Sequence, residues 1–188
     1  GKIVAIAHRK ADNTPYAIYN EEGLDYQDLY DHYYDQGKRN FLDYPKGKVI
    51  SIEDFWQLEV DILIPAALEN AITKEVAERL KAKIICEAAN GPISPEADQV
   101  LKEKGVHVSP DILTNSGGVI VSYFEWVQNL QGYYWEEDEI IAKQEKVMVK
   151  AFKDIWELKE EYGVDIRRAA YLHSVKKLAQ VMKLRGWY

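Results

Sequence analysis

The chain has 188 residues, which is enough for one sizeable domain, alone or with a helical appendage, but too few for two independent domains. Hydrophobic residues make up 47% and charged residues 29%, the balance of a globular protein rather than of a disordered or membrane one. The formal net charge of -7 argues against nucleic-acid and anionic-membrane partners, because binding phosphate groups requires a concentrated Lys/Arg surface.

The cysteine, histidine and apolar residues bear on the cellular compartment and on whether the chain has a metal site or a membrane segment. Cys86 is the single cysteine, so the fold cannot depend on an internal disulfide, and we expect a cytoplasmic protein with Cys86 as a buried apolar side chain. The four histidines never fall at metal-ligand spacing, which predicts no metal site. No apolar run approaches the ~20 residues that span a bilayer, so we expect no membrane segment.

Short apolar runs at residues 2–7, 60–65, 83–88 and 106–109 have the character of β-strands. They are rich in β-branched residues and do not alternate with polar ones, which is typical of strands buried on both faces. Residues 11–19, after the first run, form the least regular part of the sequence, and we expect a loop there.

Helix signals occupy the segments between these runs. Residues 25–36 are polar and Tyr-rich, and Ser51 is an N-cap residue followed by an acid three positions later. Residues 73–82 are good helix formers, and the Ser94-Pro95-Glu96 triplet starts a further helix that Gly105 closes. Because short buried strands alternate with helices, we predict an α/β fold in which the first ~115 residues form a parallel, doubly wound sheet.

After residue 116 the pattern becomes helical only. Apolar residues recur at helical spacing in two stripes: Ile141, Met148, Phe152 and Ile155, then Leu172, Val175, Leu178 and Met182. Each stripe predicts a long amphipathic helix that buries one face, and Asp165 is a good N-cap for the last one.

The segments that follow the predicted parallel strands are rich in small residues and side-chain amides. Ligands of such sheets bind beyond the carboxyl ends of the strands, here residues 65–70, 88–92 and 110–118. In the last segment, Asn115-Ser116-Gly117-Gly118 opens an apolar helix. Free helix-start N–H groups, glycines that permit close approach and an amide that donates and accepts all suit a carboxamide-bearing ring.

Val119 is three positions and Gly118 four positions before Ser122, so all three share one helix face, and Ser122 could offer its hydroxyl to the same opening. A second interpretation stays open from the residues alone. In that interpretation residues 115–118 are an ordinary loop, and Ser122 is a solvated or back-bonded helical serine.

Four stretches together resemble the nucleotide-binding half of glutamate dehydrogenases, within the Glu/Leu/Phe/Val dehydrogenase superfamily. They are DILIPAALENAIT, CEAANGPISPEAD, PDILTNSGGVIVSYFEWVQNLQGYYW and the closing MKLRGWY. The resemblance implies a partial Rossmann-like dinucleotide-binding domain over residues 1–130, lacking its first strand and Gly-rich loop, and a C-terminal helical segment over residues 131–188. It also implies oxidative deamination of L-glutamate to 2-oxoglutarate and ammonia with hydride transfer to NAD or NADP, usually in a hexamer.

The resemblance assigns roles to residues at the three segments. Asn115 and the backbone of Gly117 and Gly118 match the wall beside the nicotinamide ring, and Asn90 matches the amide that contacts the nicotinamide ribose. The residues that match the cofactor-cleft loop are Ala66, Ala67 and Asn70.

The substrate pocket of the family is matched at two positions. Ser122 matches the hydroxyl that helps to bind the side-chain carboxylate of the substrate, and Val119 lines the same pocket. Relatives that act on leucine, phenylalanine or valine have an apolar pocket there. Ser122 therefore favours glutamate, since an unpaired buried carboxylate would be costly.

The chain departs from the family pattern at the end of its first predicted strand. The family usually has an acidic residue there for the adenosine ribose hydroxyls, whereas this sequence has His8, Arg9 and Lys10. Positive charge suits a 2′-phosphate, so Arg9 is a predicted cofactor contact and NADP is slightly favoured over NAD. The alternative is a solvated surface loop in which these charges contact nothing.

The family's phosphate-binding strand and Gly-rich turn would come before Lys2, and the lysines and aspartate of its substrate domain have no counterpart in this sequence. We therefore expect no catalytic residue in this chain, weak dinucleotide binding and no turnover by the chain alone. Glu69 and Glu87 are interpreted as structural, and Phe124 and Trp126 as core residues.

The predicted function is that of the cofactor-binding part of a glutamate dehydrogenase, active as a hexamer when complete. Its partners would be L-glutamate or 2-oxoglutarate and ammonia. One rival hypothesis is a non-catalytic truncated relative that acts as a binding or regulatory subunit. A weaker one is a dehydrogenase for another amino acid.

Overall fold

The computed structural model describes residues 1–187, which form two compact units. The first comprises Gly1–Glu59 with Arg79–Lys81, and the second comprises Val60–Glu78 with Ala82–Tyr188. Tyr188, the last residue of the MKLRGWY stretch, lies outside the described residues. The division into residues 1–130 and 131–188 stays a prediction.

The first unit is built on a three-stranded antiparallel sheet in the order β1-β2-β3. Its strands are β1 Ala5–Arg9, β2 Pro15–Tyr19 and β3 Lys48–Ile50, with Ala7 opposite Ala17 and Ala17 opposite Ile50. The turn between β1 and β2 contains Asn13, whose φ of +66° places it in the left-handed region that Asn tolerates.

This sheet corrects two expectations. The first strand was predicted to belong to a parallel sheet and to be buried on both faces, but it is half-exposed and pairs antiparallel with β2. Residues 15–19, predicted as loop, form the central strand of the sheet, in which Tyr16, Ala17 and Ile18 are all buried with at most 3% exposure. A short apolar run carries no information about the direction of its partner, which is why the sequence pattern alone was misleading.

Helices complete the first unit. The segment after Asp25 starts as α1 Tyr26–Tyr30 and continues as a π-helix over Asp31–Asp35, and α2 spans Ile52–Trp56. The Asp25 and Ser51 side chains accept hydrogen bonds from the amides three residues on, as expected of N-caps. The core of this unit consists of Tyr16, Ile18, Leu24, Leu29, Phe41 and Tyr44.

The second unit contains the predicted parallel sheet, which confirms the α/β fold class. Its strands are β4 Ile62–Leu63, β5 Ile84–Cys86 and β6 His107–Ser109, in the order β4-β5-β6. Between them in sequence lie α3 Lys74–Arg79 and α4 Pro95–Glu103, the latter capped by the Ser94 side chain and closed at Gly105 with φ +71°.

The helices of the C-terminal half are α5 Asp111–Thr114, α6 Ser116–Gln131, α7 Glu137–Tyr162 and α8 Ile166–Leu184. Gly132 and Gly163 end α6 and α7 in the left-handed conformation, and Asp165 caps α8 as predicted. A second core joins α5, α7 and α8: Leu113, Ile155, Leu158, Ile166, Ala169 and Ala170.

Much of the apolar stripe predicted on α7 and α8 lies on the surface. Phe152 is 45% exposed, and Leu172, Val175 and Leu178 are 40%, 64% and 61% exposed. The burial that helical spacing predicts is reached at Ile155 and Leu158, where α7 packs against α8. Within residues 1–187 no helix is both long enough and apolar enough to cross a membrane.

Candidate functional site

The three loops that follow the parallel strands are joined by backbone hydrogen bonds. The amides of Ala88 and Ala89 donate to the Pro65 carbonyl oxygen at 3.1 and 2.9 Å, which joins the loops after β5 and β4. The Glu87 amide donates to the Ser109 carbonyl oxygen at 3.1 Å, which joins the loops after β5 and β6. As expected for parallel strands, the three segments therefore meet at one edge of the sheet.

The loop after β4 presents small residues to the surface. Ala66 and Ala67 are exposed, and Asn70 adopts a left-handed φ of +53°. The Asn70 amide donates to the Gly91 carbonyl oxygen at 2.8 Å, so this loop is tied to the one after β5 at both of its ends. Asn70 is also exposed, so all three residues are accessible to a ligand.

Asn90 and Asn115 are brought into direct contact. The Asn115 side-chain nitrogen Nδ2 donates to Asn90 Oδ1 at 2.8 Å and to the Ala88 carbonyl oxygen at 3.3 Å. These two bonds use both hydrogens of the carboxamide and fix its plane, which leaves Asn115 Oδ1 as an acceptor. Since Asn90 is exposed and Asn115 half-buried, the pair forms a polar rim to the edge of the sheet.

The two glycines of the SGG motif have different surroundings. A Cβ atom at Gly117 would lie 2.7 Å from Gln144 Nε2 of α7, so this glycine permits close packing of α6 on α7. A Cβ at Gly118 would meet no heavy atom of the described residues within 4 Å. Neither glycine has a positive φ. Packing against Gln144 thus explains why residue 117 is a glycine, but no contact among the described residues explains why residue 118 is one.

Val119 and Ser122 lie on the same exposed side of α6 as Gly118. Val119 is 67% exposed, and the Ser122 hydroxyl donates to the Gly118 carbonyl oxygen at 3.1 Å. This is the back-bonded serine that the second interpretation of the sequence described. The hydroxyl oxygen still has lone pairs to accept with, while donation to a carboxylate would require the hydroxyl to rotate away from Gly118.

An ionic cluster around the buried carboxylate of Glu87 was not predicted from the sequence. Glu87 is 0% exposed, and both of its carboxylate oxygens accept hydrogen bonds of 2.9 Å from the Arg167 guanidinium. Arg167 also contacts Asp98 at 3.3 Å and Asp111 at 3.6 Å. The sequence did carry one signal for it, a charged residue inside the apolar run at 83–88, but its partner lies 80 residues away.

The surrounding carboxylates favour the charged form of Arg167. Burial lowers the pKa of the Arg167 guanidinium, but the hydrogen bonds and charge of Glu87, with the charges of Asp98 and Asp111, raise it by more, so the net shift is upward. Arg167 is therefore a cation at neutral pH. The interpretation of Glu87 as a structural residue agrees with this geometry.

Arg9, the remaining predicted site residue, belongs to the first unit. It ends β1 opposite Pro15, its side chain is exposed, and its carbonyl oxygen lies 2.7 Å from His8 Nδ1. The following turn is closed by the Lys10 amide, which donates to the Thr14 carbonyl oxygen at 2.9 Å. The segment after Arg9 is thus a hairpin turn between β1 and β2, and the other nine predicted site residues lie in the second unit.

Three further residues complete the description of the second unit. Trp126, predicted as core, is 58% exposed on α6, whereas Phe124 is half-buried against the Trp135 ring at 5.6 Å. Cys86 is half-buried, and burial raises the pKa of its thiol, which disfavours the reactive thiolate. Among residues 1–187 no three His, Cys, Asp or Glu side chains are grouped to hold a metal ion.

Sequence comparison matches residues 1–186 to the family described as Glutamate/Leucine/Phenylalanine/Valine dehydrogenase. The chain is 61% identical over its whole length to the NAD-specific glutamate dehydrogenase of Clostridioides difficile, of which it covers 44%. It is 50% identical to the NAD-specific glutamate dehydrogenase of Peptoniphilus asaccharolyticus, again over 44% of that protein. The chain thus spans less than half the length of these relatives.

Solved structures agree with the sequence comparison. The crystal structure of the Peptoniphilus asaccharolyticus glutamate dehydrogenase matches all of this chain with a TM-score of 0.83 and 45% identity, over 42% of its own length. The hetero-hexameric glutamate dehydrogenase of Thermus thermophilus, in its Leu-bound form, matches 92% of this chain with a TM-score of 0.81 and 30% identity, over 40% of its length. Sequence and structure therefore point to the same family.

Proposed function

This chain belongs to the Glutamate/Leucine/Phenylalanine/Valine dehydrogenase family, and we propose that it is the cofactor-binding part of an NAD-dependent glutamate dehydrogenase. The observation that carries the proposal is the Asn115–Asn90 hydrogen bond at the carboxyl edge of the parallel sheet, in a chain 61% identical to an NAD-specific relative. The complete enzyme would oxidise L-glutamate to 2-oxoglutarate and ammonia, and no catalytic acid or base is assigned to these residues.

The residues at the sheet edge fit a dinucleotide. Asn115 offers a fixed carboxamide acceptor, Asn90 lies next to it, and Gly118 leaves its backbone open to a flat ring. Ala66, Ala67 and Asn70 would line the cleft from the side of β4. When bound, the nicotinamide would accept the hydride that leaves the α-carbon of the substrate.

NAD is the proposed cofactor. The preference for NADP inferred from His8, Arg9 and Lys10 is not supported, since two similar relatives are NAD-specific. His8 and Arg9 lie in one arm of a hairpin and Lys10 begins its turn, which is held by backbone bonds and by Asp12 Oδ1 accepting from the Thr14 amide at 2.9 Å. Arg9 is then a surface residue, and its contact with cofactor is not required.

The proposed substrate specificity rests on Ser122 and Val119. Their exposed face of α6 adjoins Gly118, so a substrate held there would lie close to a nicotinamide beside Asn115. Ser122 would contribute one hydrogen bond to the distal carboxylate, which aligns the donor carbon by anchoring the far end of the molecule. A hexameric, cytoplasmic enzyme is the proposed biological form.

Calorimetric titration of the chain with NAD and NADP tests the cofactor proposal. We expect measurable binding of NAD, weaker binding of NADP, and an unchanged ratio of the two in Arg9→Ala. Asn115→Leu should lose NAD binding, while Asn129→Leu, a matched change on the exposed far part of α6, should retain it. An equal loss of NAD binding in both variants would show that Asn115 is not a specific contact of NAD.

A chimera tests the whole enzymatic proposal. This chain would replace the matching 44% of the Clostridioides difficile relative, and NAD-linked oxidation of glutamate and leucine would be measured. We expect activity on glutamate, and in Ser122→Ala a KM for glutamate raised about tenfold, the effect of one lost hydrogen bond to a charged group. A folded chimera that oxidises leucine but not glutamate would support the dehydrogenase for another amino acid.

A second candidate function is a non-catalytic subunit that binds to active subunits. The observation in its favour is that the Thermus thermophilus relative is hetero-hexameric, so members of this fold assemble with chains that differ from themselves. A folded, correctly assembled chimera with no activity on any amino acid would favour this candidate over the enzyme.

A further inference from the structure

Glu87 is the one completely buried carboxylate that the cofactor and substrate assignments leave unused among the described residues. It follows β5 directly, at the point where the loop of residues 88–92 begins, and its exposure is 0%. A buried carboxylate is costly unless its oxygens are paired and hydrogen-bonded. The groups that hydrogen-bond to Glu87 therefore indicate which parts of the structure its carboxylate holds in place.

Arg167 satisfies Glu87 with a bidentate fork. Nη1 donates to Oε2 and Nη2 to Oε1, both at 2.9 Å, and the planar guanidinium fixes the orientation of the carboxylate as well as its position. Arg167 is the second residue of α8, next to the Asp165 N-cap, so its backbone is itself held in place. Lys could not reproduce two parallel bonds.

The carboxylates carry this constraint to both amide-bearing loops. Glu87 Oε2 accepts from the Asp111 amide at 2.8 Å, and Asp111 Oδ2 accepts from the Gly91 amide at 2.9 Å. Each carboxylate thus spans from one loop to the backbone of the other. Asn90 precedes Gly91 directly, and Asn115 follows Asp111 by one helical turn, with its amide donating to the Asp111 carbonyl oxygen at 3.0 Å.

We infer that Arg167 is a positioning residue of the cofactor site, because through Glu87 and Asp111 it fixes the two loops whose Asn90 and Asn115 meet at the sheet edge. Its consequence for NAD rests on the proposed function, whereas its effect on the loops does not. A purely structural role would instead make Arg167 one of many residues that stabilise the whole unit, with no special effect on these loops.

Amide hydrogen exchange separates the two roles, measured by NMR on the 188-residue chain and on Arg167→Met. We expect exchange at Gly91 and Asp111 to accelerate at least about tenfold, the factor for one lost hydrogen bond to a charged group, with little change at the core amide of Leu158. The Kd for NAD should rise by a similar factor. Arg168→Met, a neighbouring exposed arginine paired with Asp165, should change neither.

The contradicting results are equally specific. Equal acceleration at Gly91, Asp111 and Leu158, or none, would overturn the inference, as would faster loop exchange with an unchanged Kd for NAD. If Arg167→Met does not fold, Arg167→Lys decides: faster exchange at Gly91 and Asp111 supports the fork, and parent-like exchange overturns it. If the parent chain binds no NAD, the proposed function fails, but the exchange rates still test whether Arg167 fixes the loops.

Discussion

Asn115 is the residue at which the site is most directly built. Its side-chain Nδ2 donates one hydrogen to Asn90 Oδ1 and the other to the Ala88 carbonyl oxygen, which joins the loops after β5 and β6. Asn115 Oδ1 is then available to accept a hydrogen bond from a ligand. An Asp at this position would have no hydrogen to donate and would place a carboxylate oxygen against these two acceptor oxygens.

Asn115→Asp should therefore lower the free energy of unfolding by about 1–3 kcal/mol, because two hydrogen bonds are lost and the new carboxylate faces two acceptor oxygens. The matched control is Asn129→Asp, because Asn129 Oδ1 only accepts, from the Tyr134 hydroxyl at 3.1 Å, and Asp can accept in the same way. Urea unfolding of the two variants and the parent measures the difference. An equal change in both variants would show that the Asn115 donors add nothing.

Gly118 and Gly117 make a second comparison at the level of single residues. Gly118→Ala should raise the free energy of unfolding by up to about 1 kcal/mol, since Ala is the better helix former and the new Cβ meets no neighbour. If the backbone there is kept open for NAD, the same variant should bind NAD more weakly. Gly117→Ala should gain less stability, because its Cβ displaces Gln144 Nε2. Unchanged NAD affinity in Gly118→Ala would contradict the idea that the backbone at Gly118 is kept open for NAD.

Among the elements, α8 has an N-terminus that the Asp165 side chain stabilises through two contacts. The Asp165 side chain accepts from the Arg168 amide at 2.8 Å and pairs with Lys102 at 3.4 Å. Burial raises the pKa of Asp165, but these partners lower it by more, so the folded value lies below the usual one. The resulting stability is present at neutral pH and is lost as the pH falls through that lowered pKa.

Asp165→Ala should cost about 1 kcal/mol of unfolding free energy at pH 7, and the difference from the parent should narrow below pH ~4 as the parent carboxylate is protonated. Ser94→Ala is the matched control, because the Ser94 hydroxyl caps α4 through the Ala97 amide at 3.2 Å and does not titrate. Chemical denaturation across this pH range measures both. A cost at Asp165 that stays constant with pH would contradict the role of its charge.

The elements also show what sequence patterns can predict. The three parallel strands and their following loops were predicted because buried β-branched runs alternate with helix signals, such as the Ser94 cap of α4 between β5 and β6. The strand at residues 15–19 was missed because its apolar core of three residues follows a polar turn, and the antiparallel pairing of β1 depends on that missed partner. The π-helix after α1 leaves no trace in residue spacing.

At the scale of the whole molecule, contacts distant in sequence escape prediction. The Asn90–Asn115 pair follows from strand order, since both residues lie in the segments that follow neighbouring parallel strands. Arg167 does not, because its partner Glu87 is 80 residues away and neither residue sits in a repeating pattern. The loops could therefore be predicted, but not the buried ions that hold them.

The surface of the second unit predicts self-association. Among the described residues β4 is hydrogen-bonded to β5 on one side only, and Ile62 and Ile64 are 53% and 60% exposed. Ile62→Lys should reduce concentration-dependent association in sedimentation velocity, because charge on an edge strand opposes strand pairing. Val175→Lys on α8, where Val175 is 64% exposed, is the control. If both variants associate like the parent, or the parent stays monomeric, β4 is not the contact.

The central claim is that the carboxyl edge of the parallel sheet binds NAD. The most direct measurement follows backbone amide chemical shifts while NAD is added to the chain. The account predicts that the largest changes fall in residues 65–70, 88–92 and 115–119, around Asn90 and Asn115. Saturating NAD that leaves these three segments unchanged would contradict it, whatever happens elsewhere in the chain.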